Sequence, residues 1–141
     1  MGERKLIRLD AEDRARALAK IPLFAGCDDV QLRAIADVSH MLAFDDGQVI
    51  VPEGEKGQGF YLVLTGGATA QRDGEDVASL GVGDFFGEVA LLEGTPRTAT
   101  VVADGHTVCL GILRSDFRAL LARQPRIAMR IIEAESRRQP Q

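Results

Sequence analysis

Glycine-centred turn signals recur through the middle of this chain, and their spacing limits its architecture more than any other feature. They fall at Asp46-Gly47, Gly57, Gly66-Gly67, Asp73-Gly74, Gly83, Gly94 and Gly105, 8 to 11 residues apart. That interval suits short antiparallel strands and points to a sandwich or barrel. Strands are predicted over 41–44, 49–51, 60–64, 68–72, 77–80, 98–103 and 107–113. One interval breaks the rule. Gly87 to Glu93 reads GEVALLE, with helix-forming Glu, Ala and Leu and too little room for a strand with its turns. A short helix inserted between two strands is expected there.

The flanks have helical periodicity instead. Asp10 is placed to cap a first helix running to about Lys20, and Ile21-Pro22-Leu23-Phe24 breaks it. Asp28 followed by Gln31 reads as a capping box, opening a second helix that ends near Ser39. Beyond the strands, Ser115 is expected to cap a helix over 116–122. Pro125 then opens a last one with Ile127, Ala128, Ile131 and Ile132 on one side. The expected fold is α+β: an antiparallel β-barrel or jelly roll flanked by N-terminal and C-terminal helices, with a short helix inserted among the strands. A chain of 141 residues supports one core better than two, so a single domain over 1–141 is expected. It divides into N-terminal helices (1–39), barrel (40–113) and C-terminal helices (114–141).

Composition removes several classes of function. The net charge of −4 gives no basic surface for duplex DNA, so no nucleic-acid partner is expected. No apolar run approaches the roughly 18 residues of a membrane helix, and the N-terminus has no signal-peptide pattern. No membrane association is expected of this chain, and the expected location is the cytoplasm. Cys27 and Cys109 are far apart and form no metal-ligand motif, while His40 and His106 stand alone. Neither a zinc site nor a disulfide is expected. Without a metal cluster, or a nucleophile paired with a base, the chain is not expected to be an enzyme.

The segment Gly83 to Val101 has the parts of an anion cradle. A helix beginning at Gly87 offers unpaired backbone N–H groups and the positive end of its dipole. Gly87 lacks a Cβ, so a ligand can approach the backbone closely. Arg97, just beyond the Gly94-Thr95-Pro96 turn, can bring a planar guanidinium over the same spot and pair with a phosphate through two bonds. Glu88 would repel a phosphate unless it faces a hydrogen-bond donor, and a ribose hydroxyl is such a donor. By residue chemistry alone a structural salt bridge between Glu88 and Arg97 remains the commoner outcome for an arbitrary Gly-Glu…Arg.

The full string alters that balance. Phe86, Gly87, Glu88, Ala90, Leu91, Leu92, Gly94, Arg97, Ala99, Thr100 and Val101 resemble the phosphate-binding cassette of the cyclic-nucleotide-binding domain family, F-G-E-x-A-L-(hydrophobic)-x-G-x-x-R-x-A-(T/S)-V. The resemblance extends to Pro22-Leu23-Phe24, Gly47 to Ile50, Glu53-Gly54, Phe60 to Gly66 and Gly83-Asp84. It is similar in look to the domains of bacterial cyclic-nucleotide-gated channels and of cyclic-nucleotide-dependent kinases.

That resemblance implies roles. Glu88 would accept from the ribose 2′-hydroxyl, and Arg97 would pair with the exocyclic phosphate oxygens. Backbone N–H groups of Gly87, Glu88, Val89 and Ala90 would complete the phosphate site. Thr98 would lie near phosphate and base, and Val77 with Ala70 would wall the base. The last helix would act as a lid, with Ile131 and Ile132 as apolar cover and Arg137 or Arg138 as a polar cap. The implied function is a regulatory sensor whose ligand is cAMP, favoured over cGMP, with no further cofactor. Its effector is unknown, with the terminal helices as the contact. The competing expectation is a degenerate, ligand-independent interaction domain of the same fold.

Overall fold

The structure, a computed structural model, describes residues 5–7, 10–54, 59–87 and 99–138. After a short strand, β1 (Lys5–Ile7), helix α1 (Ala11–Ala19) begins where Asp10 accepts a hydrogen bond from the Asp13 N–H at 2.8 Å. A 3-10 turn (Pro22–Phe24) leads to α2 (Asp29–Asp37), whose capping box is complete. Asp28 accepts from the Gln31 N–H at 2.8 Å, and Gln31 accepts from the Asp28 N–H at 2.9 Å. Two otherwise unpaired N–H groups are thereby satisfied, so the helix starts where its sequence signal stands. It stops at Asp37, because Ser39 already belongs to the next strand and its buried hydroxyl donates to the Ala36 carbonyl.

Eight more strands follow among the described residues: β2 (Ser39–Phe44), β3 (Val49–Val51), β4 (Gly59–Thr65), β5 (Ala68–Arg72), β6 (Glu75–Leu80), β7 (Phe85–Phe86), β8 (Thr100–Ala103) and β9 (Thr107–Leu113). They form two antiparallel sheets, ordered β1-β2-β9-β4-β7 and β3-β8-β5-β6. Helices α3 (Arg114–Arg123) and α4 (Pro125–Arg138) follow β9. This is the expected α+β jelly roll with helices at both ends. The inserted helix expected from Gly87 lies outside the described residues.

The connections give the roll two unlike ends. Those between β2 and β3, β4 and β5, β6 and β7, and β8 and β9 each carry the chain from one sheet to the other at a common end. Backbone bonds knit this end shut. Gly47 donates to Ala103 at 2.8 Å, Asp104 to Gly67 at 2.9 Å, and Gly83 to Val63 at 2.8 Å. The Asp84 carboxylate accepts from the Gly81 N–H at 2.8 Å, which accounts for the Gly83-Asp84 pair as a turn clamp. Gly66 is obligatory here. Its φ is +82°, and a Cβ would lie 2.8 Å from the Thr107 hydroxyl oxygen and 2.9 Å from the Thr107 Cα, with the His106 carbonyl also in the way. The opposite end carries the β3–β4, β5–β6 and β7–β8 connections, the last of them containing the cassette.

Alternation along β4 separates two cores. Phe60 and Leu62 face the helices and pack with Ile35, Leu110, Ile112, Phe117, Ile127 and others. Tyr61 and Val63 face the second sheet and pack with Phe44, Ile50, Phe86, Val101 and Cys109. Side chains pointing to opposite sides of one strand make one sheet the shared wall of both cores.

Some predicted boundaries are corrected. Ser115 does not cap α3; the helix starts at Arg114 with Leu113 as N-cap and no side-chain cap bond. Strand β9 runs straight into the helix, so its own last residue supplies the extended entry. The strand expected over 77–80 begins at Glu75, and the one expected over 98–103 is described from Thr100. Strands β1 and β7 were not expected. They have three and two residues, and at that length pairing with a neighbour decides the conformation. No helix among the described residues is long and apolar enough to cross a membrane.

Candidate functional site

The chamber between the sheets narrows toward the knitted end and opens at the other. Cross-strand partners share a face. Ala68 with Leu80, and Ala70 with Ala78, therefore form successive rows on the side facing the first sheet. Burial falls along those rows: Ala68 is 2% exposed, Ala70 is half-buried and Ala78 is exposed. Between the pairs Ala70–Ala78 and Gln71–Asp76, strand β6 carries one residue more than β5. That extra residue is Val77, 51% exposed. A bulge breaks strict alternation and re-aims a side chain, so Val77 is released from the outward face that regular pairing would assign it. Ala78 shares its row with Ala70, and the register shift leaves Val77 beside it without a cross-strand partner. Nothing in the sequence marks this bulge.

Phe86 is the floor beneath the cassette entrance. It is 6% exposed and stacks on Tyr61, its cross-strand partner, with ring centroids 5.4 Å apart and planes 13° apart. Gly87 follows with φ at +94°, a left-handed conformation that glycine adopts without steric cost. The chain re-enters description at Ala99, and Thr100 pairs with Gln71. The Thr100 hydroxyl accepts from the Glu53 N–H at 2.9 Å, which ties the cassette's exit to the β3–β4 connection. Entrance and exit both lie at the open end of the roll. Glu88, Val89, Ala90, Arg97 and Thr98 lie outside the described residues, so Gly87 and Val77 are the site candidates whose places are seen.

A cleft of about 130 Å³ lies on the inward face of the first sheet at the same end, lined by residues that include Leu6, His40, Leu42, Tyr61 and Gly111. Tyr61 stands between it and Phe86. Of the site candidates among the described residues, neither Val77 nor Gly87 borders it. No group of His, Cys, Asp or Glu suited to hold a metal is found among the described residues.

The last helix packs on the helix-side core. Ile127 and Ile131 are each 1% exposed and belong to the helix-side core, across the shared sheet from the chamber. Ile131 is thus a packing residue in this arrangement. Ile132 is 55% exposed. The side chains of Arg137 and Arg138 lie outside those described.

Cys109 is an inert core residue. Burial pushes its thiol up from the ordinary 9.0 to about 12, because the thiolate is disfavoured in apolar surroundings. The folded thiol titrates higher than the unfolded one. This contribution to stability is therefore intact below the ordinary value and is lost as pH rises toward the folded one. Alkylation of the native protein near neutral pH, followed by peptide mass spectrometry, should leave Cys109 unmodified until the chain unfolds. Native labelling of Cys109 would contradict this placement.

Comparison with known proteins agrees with the geometry. The cyclic nucleotide-binding domain family matches residues 41–124, more than half of the chain. A cGMP-dependent protein kinase of Eimeria tenella is 35% identical over 129 residues, covering 92% of this chain and 13% of the kinase. The regulatory domain of Toxoplasma gondii protein kinase A, crystallised with cAMP, is 29% identical with a TM-score of 0.77, over 89% of this chain and 50% of that one. The regulatory subunit of a cAMP-independent protein kinase A from Trypanosoma brucei is 27% identical with a TM-score of 0.80, over 92% of this chain and 48% of that one. The chain thus spans a small part of the kinase and about half of each regulatory protein, and it belongs to the cyclic nucleotide-binding domain family.

Proposed function

We propose that this chain is a non-catalytic regulatory module that binds a cyclic nucleotide at the open end of the roll, with cAMP favoured over cGMP. The observation that carries the reading is the cassette's footing. Gly87, in left-handed backbone next to the stacked Phe86, leads into the segment bearing Glu88 and Arg97, and the second sheet carries the apolar Ala70–Ala78 pair with the bulged Val77 beside it. In this reading Arg97 and the backbone N–H groups of Gly87, Glu88, Val89 and Ala90 hold the phosphate. Glu88 accepts from the ribose hydroxyl, and Thr98 sits between phosphate and base. Ligand binding repositions α4, and the terminal helices contact an effector in the cytoplasm.

Adenine is favoured on grounds of polarity. The described wall carries no side-chain donor or acceptor, and the nearby Gln71 amide already donates to the Asp76 carboxylate at 3.0 Å. A base with more polar groups to satisfy loses more against such a wall. Thr98 supports the opposite preference, since its hydroxyl can bond a guanine amino group. The likeness to the cGMP-dependent kinase points the same way.

Calorimetry with cAMP and cGMP on the purified chain tests both claims. Binding heat with the smaller dissociation constant for cAMP is expected, together with a melting shift. Ligand at a hundred times Kd should stabilise the fold by about 2.7 kcal/mol. A smaller constant for cGMP would reverse the preference. No heat with either at millimolar concentration would leave the ligand-independent interaction domain.

A further inference from the structure

We propose that Arg126 and Arg130 form a latch that holds α4 against the N-terminal 3-10 turn, so that a bound nucleotide must work against the latch to move the helix. The second clause rests on the cyclic-nucleotide reading above; the latch itself does not.

The turn Pro22–Phe24 and the residues after it present a row of carbonyls. Those of Ile21, Pro22 and Phe24 accept from the N–H groups of Phe24, Ala25 and Cys27. Those of Leu23 and Gly26 are taken from across the molecule. Arg130 Nη1 donates to the Leu23 carbonyl at 2.8 Å, and Arg126 Nη1 donates to the Gly26 carbonyl at 3.1 Å. The two arginines lie one helical turn apart and share a face of α4. They reach two carbonyls about one turn apart on the facing segment, so the pairs match in spacing.

Three further observations favour a specific contact over an incidental one. Arg126 sits in the first turn of α4, which has no acidic residue. A cation there is opposed by the helix dipole, so helix electrostatics give no reason for it. Gly26 leaves space for the guanidinium groups: a Cβ would lie 3.1 Å from Arg126 Nη1 and 3.5 Å from Arg130 Nη2. Its φ of +85° also suits glycine. Finally, the latch acts on the element whose position matters. With Ile127 and Ile131 packed in the helix-side core, the described part of α4 lies away from the chamber. Both bonds tie α4 to the turn, so moving the helix away from the turn strains or breaks them.

A ligand shifts such an equilibrium only by its difference in affinity for the two positions, and weak population of the competent one lowers apparent affinity in proportion. Weakening the latch should therefore tighten nucleotide binding. The test compares the intact chain with Arg126→Gln/Arg130→Gln, with Arg126→Gln alone, and with Arg123→Gln as an exposed control outside the latch. Arg126 is exposed, so the single variant retains the fold even if the double variant does not.

Hydrogen exchange of the α4 amides is measured without nucleotide, and cAMP affinity by calorimetry. The double variant is expected to exchange faster across 127–133 and to bind cAMP about three- to tenfold more tightly. The single variant should change in the same direction by less, and Arg123→Gln should not change. Exchange equal to the parent's would overturn the latch. Faster exchange with unchanged or weaker binding would overturn its opposition to the nucleotide. If the parent binds neither nucleotide, the functional reading fails, while the exchange measurement still decides the latch.

Discussion

Replacing Arg97 with alanine is expected to weaken cyclic-nucleotide binding about ten- to hundredfold, the equivalent of roughly 1.5–3 kcal/mol for a hydrogen bond to a charged group. The expectation follows from what the cassette asks of one side chain. A cyclic phosphate has a single negative charge shared by two exocyclic oxygens, and a guanidinium matches both with a planar fork. Backbone N–H groups can share the charge but bring none of their own. Arg97→Lys separates the contributions, since it retains the charge and loses the fork; an intermediate loss is expected. Calorimetry on the three proteins measures both effects. Affinity unchanged in Arg97→Ala would place the ligand elsewhere, and the cleft beside Tyr61 would become the next place to look.

The second large effect concerns the helix-side core. Phe117 is 1% exposed and stacks on Phe60 with centroids 4.4 Å apart and planes 10° apart. Phe60 in turn lies 5.8 Å from Phe85, which precedes Phe86 and the cassette. Truncating such a ring removes its transfer free energy and leaves a cavity that close-packed neighbours fill only in part. Phe117→Ala should cost about 3–5 kcal/mol. At this chain length that lowers the melting temperature by roughly 10 °C or more. Chemical denaturation is the direct measurement. A loss below about 1 kcal/mol would show that α3 is not anchored through this ring. Arg97→Ala and Phe117→Ala should thus separate cleanly, one acting on affinity and the other on stability.

The parts legible in the sequence share a physical property: their cause is local. Asp28 and Gln31 cap α2 because the partners stand three residues apart and need no distant contact. Strands β3 and β5 keep their predicted limits because turn glycines bound them closely, and β9 keeps its start for the same reason at Gly105. Ser115 misled because a good capping residue is outvoted when a strand feeds directly into a helix. Strands β1 and β7 escaped notice because a strand of two or three residues exists only through its partner. The bulge at Val77 is of the same kind: it is a relation between β5 and β6, and neither strand announces it.

The same division governs the site. Gly87, Glu88 and Arg97 suggested an anion cradle by chemical type and spacing, and the resemblance of the whole string to the family's cassette is what set that reading above a structural salt bridge. The sequence alone therefore determined the roll and the family resemblance of the segment that follows Phe86. Only the tertiary structure decided which end of the roll is knitted shut, that Tyr61 and Phe86 floor the cassette's entrance, and that Ile131 belongs to the helix-side core. It also decided that Arg126 and Arg130 reach carbonyls about a hundred residues away. Such contacts depend on the packing of elements distant in the chain. Periodicity shows that a helix has an apolar side but not which surface that side will meet.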